Sequence, residues 1–209
     1  MTRLETMIRD YAGPALCSVP PLRNVSAVAD GQWALLLDAL MIKNGFYAFE
    51  SALHFYPLGE GGMDLVSWNE PSLWKSAYAK HDLSKLSCFA ENVFGEQFCL
   101  TGGRFVKLDP ETGDVEPVAE TLEGWASEML AEPNYHLGFS LAHAWQNKNG
   151  PLPPGMRLVP KRPFVCGGEF GLSNLEAMEA VKAMRMRGSI ATQLVDLPDG
   201  ASIVFELAS

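Results

Sequence analysis

A chain of 209 residues that is 47% hydrophobic and only 20% charged can bury its own core, which excludes a disordered chain. Its net charge of −9 excludes a protein that works by neutralising nucleic-acid phosphates. The acid excess is local: residues 151–209 carry 6 basic and 6 acidic side chains, so residues 1–150 carry 10 basic against 19 acidic.

In chain order, Leu4, Met7, Ile8 and Tyr11 fall at helical spacing and predict a helix over 2–13, stopped by Gly13 and Pro14. Residues 17–26 read as a Pro-rich connector. Asp30 is placed to cap a second helix with Trp33, Leu36, Leu37, Leu40 and Met41 on one stripe, closed by Gly45 in a left-handed conformation. Residues 47–59 fit a strand or a short helix equally well, and 59–69 read as a flexible loop with an apolar tip. Pro71 suits the first position of a short helix carrying Leu73, Trp74 and Tyr78.

The clearest stretch follows. Strands are predicted over 85–93, 97–100 and 104–108, with Gly102 and Gly103 as a two-residue hairpin turn. Val106 and Leu108 are expected on one side of the last strand, Lys107 and Asp109 on the other. Residues 109–114 make a second turn, for which Gly113 supplies the left-handed residue; 115–118 pair back as an edge, because Pro117 cannot donate. Thr121 caps a helix whose Leu122, Trp125, Ala126, Met129 and Leu130 form one face, ended by Glu132 and Pro133. Asn134 starts another helix over about 135–148 that carries both His136 and His143. After a hinge-like 149–155, a short strand and Gly turn are expected over 162–170. Residues 173–188 read helical, with a strand as the alternative for the first few; a turn at 197–200 and a strand at 202–207 close the chain. Strands grouped together, followed by helices, favour an α+β fold: a mainly antiparallel sheet backed by helices, with a helical and strand C-terminal extension. We expect a core over 1–131 and an extension over 132–209 packed on it as a single unit.

No pattern for catalysis or cofactor binding is met. In "DPETGDVEPVAE" (109–120) the ligand and glycine of a calcium loop are exchanged at the fifth and sixth positions. The glycines of "CGGEFG" (166–171) do not match the dinucleotide fingerprint, and there is no phosphate-binding G-x-x-x-x-G-K-[ST] and no G-x-S-x-G elbow. Two histidines seven residues apart on one helix cannot share a metal, since chelation needs a spacing of three or four. The four cysteines lack a Cys-x-x-Cys pair and are expected reduced, Cys88 and Cys99 as neighbours across a sheet. The expectation is therefore no catalytic residue, no cofactor and no metal. The N-terminus shows no secretory leader, and the most apolar run, 33–42, is short and interrupted by Asp38. A cytoplasmic protein away from the membrane is expected.

Asn44-Gly45 at a helix end, Phe94-Gly95, the strand into "KLDPETG" and the helix of "ETLEGWASEML" together resemble the SMI1/KNR4 (SUKH) superfamily over roughly residues 25–131. That resemblance implies an α+β fold without catalytic residues and a binding role, which in many bacterial members is neutralisation of a secreted toxin, often a nuclease. The entry motif of that superfamily is not found before the Asn-Gly helix end, and the tail beyond residue 132 exceeds its compact core. Combined with the acidic surface, it implies an immunity protein whose partner is a basic toxin; a regulatory scaffold, or a small-ligand protein or enzyme using the 166–171 turn, is the alternative. Candidate contacts are Asp109, Glu111, Asp114 and Glu116 around the second turn, with Trp68 and Trp74 as aromatic anchors unless both pack in the core.

Overall fold

The computed structural model describes residues 1–18, 31–59 and 63–197. The Pro-rich connector beyond residue 18, the Asp30 cap and the C-terminal strand lie outside the described residues.

Six strands follow one another as neighbours in one antiparallel sheet: β1 (Phe46–Ala48), β2 (Leu53–Phe55), β3 (Ser87–Asn92), β4 (Gln97–Thr101), β5 (Arg104–Leu108) and β6 (Val115–Ala119). The sheet meanders, as the grouping of strands in the sequence implies. Gly102 and Gly103, at φ +55° and +79°, make the tight β4–β5 turn. Gly113, at φ +76°, closes the β5–β6 turn, and β6 is an edge strand. Cys88 and Cys99 stand opposite each other on β3 and β4, as free thiols.

Helix α1 (Arg3–Asp10) and helix α4 (Leu122–Ala131) cover one face of the sheet, and α2 (Gln32–Ile42) packs beside α4. On that face Trp125 of α4 meets Phe55, Phe89 and Phe98 with ring centroids 5.1–6.1 Å apart. The opposite face is covered as well, by α3 (Leu65–Asn69) and α7 (Ala180–Leu194). There Tyr56, Trp68, Trp74 and Tyr78 form a chain of ring contacts. Lys107 is buried as Val106 and Leu108 are, because Tyr135, Glu96 and Glu116 close around its ammonium, so the expected alternation on β5 does not leave a water-facing side.

Other differences have local causes. Residues 47–59 hold two strands, joined through Phe49, Glu50 and Ser51, all at positive φ. The tip of the expected loop is helix α3, because Asp64 accepts from the Val66 and Ser67 amides. After Pro71 there is only a 3-10 turn, Lys75–Ala77. The helix expected over 135–148 is two helices, α5 (Pro133–Leu137) and α6 (Phe139–Asn149), parted at Gly138 with φ +68°. His136 and His143 therefore lie on different helices, and Asn134 Oδ1 accepts from the Ser140 amide, the start of α6. The 162–170 segment is 3-10 and coil; the strand is earlier, β7 (Met156–Pro160), paired with β8 (Leu175–Glu179) in a second sheet. Leu152, Leu158, Leu175, Ala180 and Met184 share one core with the large sheet.

Candidate functional site

The sequence-derived contacts divide sharply. Trp68 and Trp74 are fully buried, so neither can anchor a partner. Each indole has an internal acceptor: Trp68 Nε1 donates to Gln97 Oε1 at 2.7 Å, and Trp74 Nε1 to the Trp68 carbonyl at 2.8 Å. Glu111 is also withdrawn from the surface. Its Oε2 accepts from the Val165 amide at 2.9 Å, tying the β5–β6 turn to the segment after β7, and burial pushes its pKa up. Asp109 is half-buried and serves its own turn, Oδ1 accepting from the Glu111 amide. Asp114 and Glu116 are exposed; Glu116 pairs with Lys107, which lines the cleft described below.

Between the sheet and α7 lies a buried polar network that composition did not reveal. Glu91 Oε1 accepts from Arg157 Nε at 2.6 Å and is 3.2 Å from His54 Nδ1; Glu91 Oε2 accepts from Gln97 Nε2. Gln97 Oε1 in turn accepts from Tyr56 and Trp68. Burial alone would raise the Glu91 carboxyl; the Arg157 charge and the bonds from His54 and Gln97 outweigh it and hold its pKa at about 2. Burial lowers the pKa of His54 despite its bond to Glu91, so the ring is neutral at pH 7 and donates from Nδ1. The network has no opening, and its role is to clamp β7 to the large sheet.

An accessible site among the described residues is an open cleft of about 550 Å³ where the β3–β4 turn meets the α5–α6 junction. Asn92 builds the turn: its Oδ1 accepts from the Phe94 and Glu96 amides, and its Nδ2 donates to Glu96 and to the His136 carbonyl, fastening α5 alongside. Arg187 of α7 donates to the Phe94 carbonyl from below. Phe94 is thereby fixed as the floor. Gly138 must be a glycine, because a Cβ there would come within 2.4 Å of the Phe94 ring. The walls are Tyr135, 70% exposed, and Phe170, 67% exposed, the latter stacked on Phe164 at 3.8 Å.

One end of the cleft is charged. Lys107 Nζ lies 3.0 Å from Glu116, 3.4 Å from Glu96 and 5.6 Å from the centre of the Tyr135 ring. Burial is the first influence on Glu96 and raises its pKa; for Lys107 the two carboxylates outweigh burial and raise it. His136, 3.6 Å from Glu128, has a pKa lowered chiefly by burial and then by Lys107, and is neutral at pH 7. Two carboxylates thus face one ammonium, with Glu128 close by. Neither His136 nor His143 lines the cleft. Among the described residues no group of three His, Cys, Asp or Glu is placed to hold a metal, and no helix is long and apolar enough to cross a membrane.

These features define an α+β protein whose antiparallel meander is covered on both faces and which presents an aromatic cleft with an acidic end. No family model matches the chain, and no curated protein does. The chain is similar to the crystal structure of Atu4351 from Agrobacterium tumefaciens, with a TM-score of 0.56 and 13% identity over 88% of each chain. A likeness at that identity is one of fold.

Proposed function

We propose that this protein is a non-catalytic binding module that neutralises a basic secreted toxin, of the nuclease type, by covering its working surface. The observation that carries the reading is the cleft: two largely exposed aromatic rings beside a cluster with more carboxylates than cations. Exposed aromatics supply contact area at little entropic cost, and acidic rims raise association rates with basic partners. The acid excess of residues 1–150 and the resemblance to the SUKH superfamily support the same reading. Any secreted toxin encoded beside this gene is the partner to test. Co-expression should keep cells alive, the purified pair should co-elute, and the association rate should fall steeply as salt rises. A toxin that kills equally well with and without this protein refutes the proposal.

A further inference from the structure

We propose that the cleft between Tyr135 and Phe170 receives an arginine side chain of the partner protein, and that Lys107 holds part of that seat when no partner is present. The partner's identity rests on the toxin-binding reading; the chemistry of the seat does not.

Lys107 shows what the seat selects. Its ammonium has an aromatic face on one side and carboxylates on two others, the arrangement that recognises an organic cation. The seat remains acid-rich with Lys107 in it, since Glu96 and Glu116 share a single ammonium and His136 beside Tyr135 adds no charge. Beyond the charged end the lining is mostly apolar, with Phe94, Leu141 and Phe170; the polar Asn134 and Ser140 there are hydrogen-bonded to each other. A side chain suited to the whole cleft has an apolar stem and a cationic head. Arginine fits better than lysine, because its planar guanidinium stacks on rings, loses less hydration and can bind a carboxylate through two parallel hydrogen bonds. An apolar side chain would leave the acids without a further partner, and an acidic one would be repelled.

The test uses the full chain and the probe N-acetyl-arginine amide, with the leucine and glutamate amides as controls, followed by NMR at the Tyr135 and Phe170 rings. Arginine amide should shift both rings with a millimolar dissociation constant, as expected for so small a ligand. Glu96→Gln should weaken it about tenfold, the loss of one charge-assisted contact. Lys107→Met should tighten it several-fold, because an internal competitor is removed, whereas Lys107→Arg should gain nothing; a purely structural lysine gives no such gain. Thermal unfolding shows whether each variant is folded, and Tyr135→Leu, on an exposed wall, offers a second route to lost binding. Equal binding of the leucine amide, unmoved ring signals, or unchanged affinity in a folded Lys107→Met protein overturns the proposal. Neutralisation that persists while the toxin leaves the cleft signals unmoved also overturns it and leaves the toxin reading standing. Arginine amide bound as described, with no toxin neutralised, supports the seat and removes the toxin reading.

Discussion

At the scale of single residues, the backbone decides what can be exchanged. Gly102 and Gly138 both sit at positive φ, but nothing lies within 4 Å of a Cβ at 102, while one at 138 collides with Phe94. Gly102→Ala should therefore cost only the conformational penalty, about 1–2 kcal/mol. Gly138→Ala adds overpacking of a further ~1–3 kcal/mol and disturbs the floor of the cleft. Urea midpoints of the two variants measure the difference, and equal losses would show that Phe94 yields freely. Phe49, Glu50 and Ser51 present the opposite case: three consecutive side chains in a left-handed turn. The turn is held from outside, by Gln146 Nε2 donating to the Glu50 carbonyl at 2.7 Å and by Phe49 stacking on Tyr11. Ser51→Gly should relieve strain and stabilise the protein by about 0.5–1 kcal/mol in the same measurement. Such a turn has no glycine to announce it, so the sequence leaves residues 47–59 undecided. Trp68 and Trp74 stay ambiguous in the sequence for a related reason: a place near a Gly-rich segment allows an exposed anchor as well as core packing, and the acceptors that decide for the core, Gln97 Oε1 and the Trp68 carbonyl, are fixed only by the fold.

Among the elements, those that specify themselves locally were legible. Helix α4 is one: Thr121 Oγ1 accepts from the Gly124 amide at 3.0 Å, and Leu122, Trp125, Ala126 and Met129 are its buried face, as their spacing requires. Thr121→Ala should cost about 1 kcal/mol and Thr121→Ser much less, since serine keeps the acceptor. Equal costs for the two would mean that the threonine methyl, and not the cap, matters. The hairpins from β4 to β6 were legible for the same reason, through Gly102, Gly103, Gly113 and Pro117. Elements that depend on distant partners were not. The break between α5 and α6 exists because Gly138 must pass over Phe94, 44 positions earlier in the chain. The cleft inherits that limit. Glu116 was singled out from the sequence, but Tyr135, Phe170, Glu96 and Lys107 meet only through the turn that Asn92 builds.

For the whole molecule, covering the sheet on both faces brings ionisable groups into the interior, and stability acquires a pH dependence with a definite sign. His54 has a folded pKa below its ordinary 6.5, so the unfolded chain takes up the proton first. Stability must then fall as pH drops below about 6.5, at no more than ~1.4 kcal/mol per pH unit for one proton. Half-buried His136 acts in the same direction, weakened by solvent. Glu91 adds a second loss at lower pH: its stabilisation is complete above the ordinary 4.5 and disappears as pH falls through about 2. Glu96 and Glu111, whose pKa values are raised, oppose this by binding protons more readily when folded. The groups are separable by substitution. His54→Asn keeps a donor toward Glu91 but cannot titrate, so its urea midpoint should decline less than that of the parent between pH 7 and 5, while both decline below about pH 4.5. Identical slopes above pH 5 would assign the upper loss to His136 alone. They would also mean that His54 is not held neutral between Glu91 and Tyr47, and that the clamp between β7 and the large sheet is built on Arg157 and Glu91 without it.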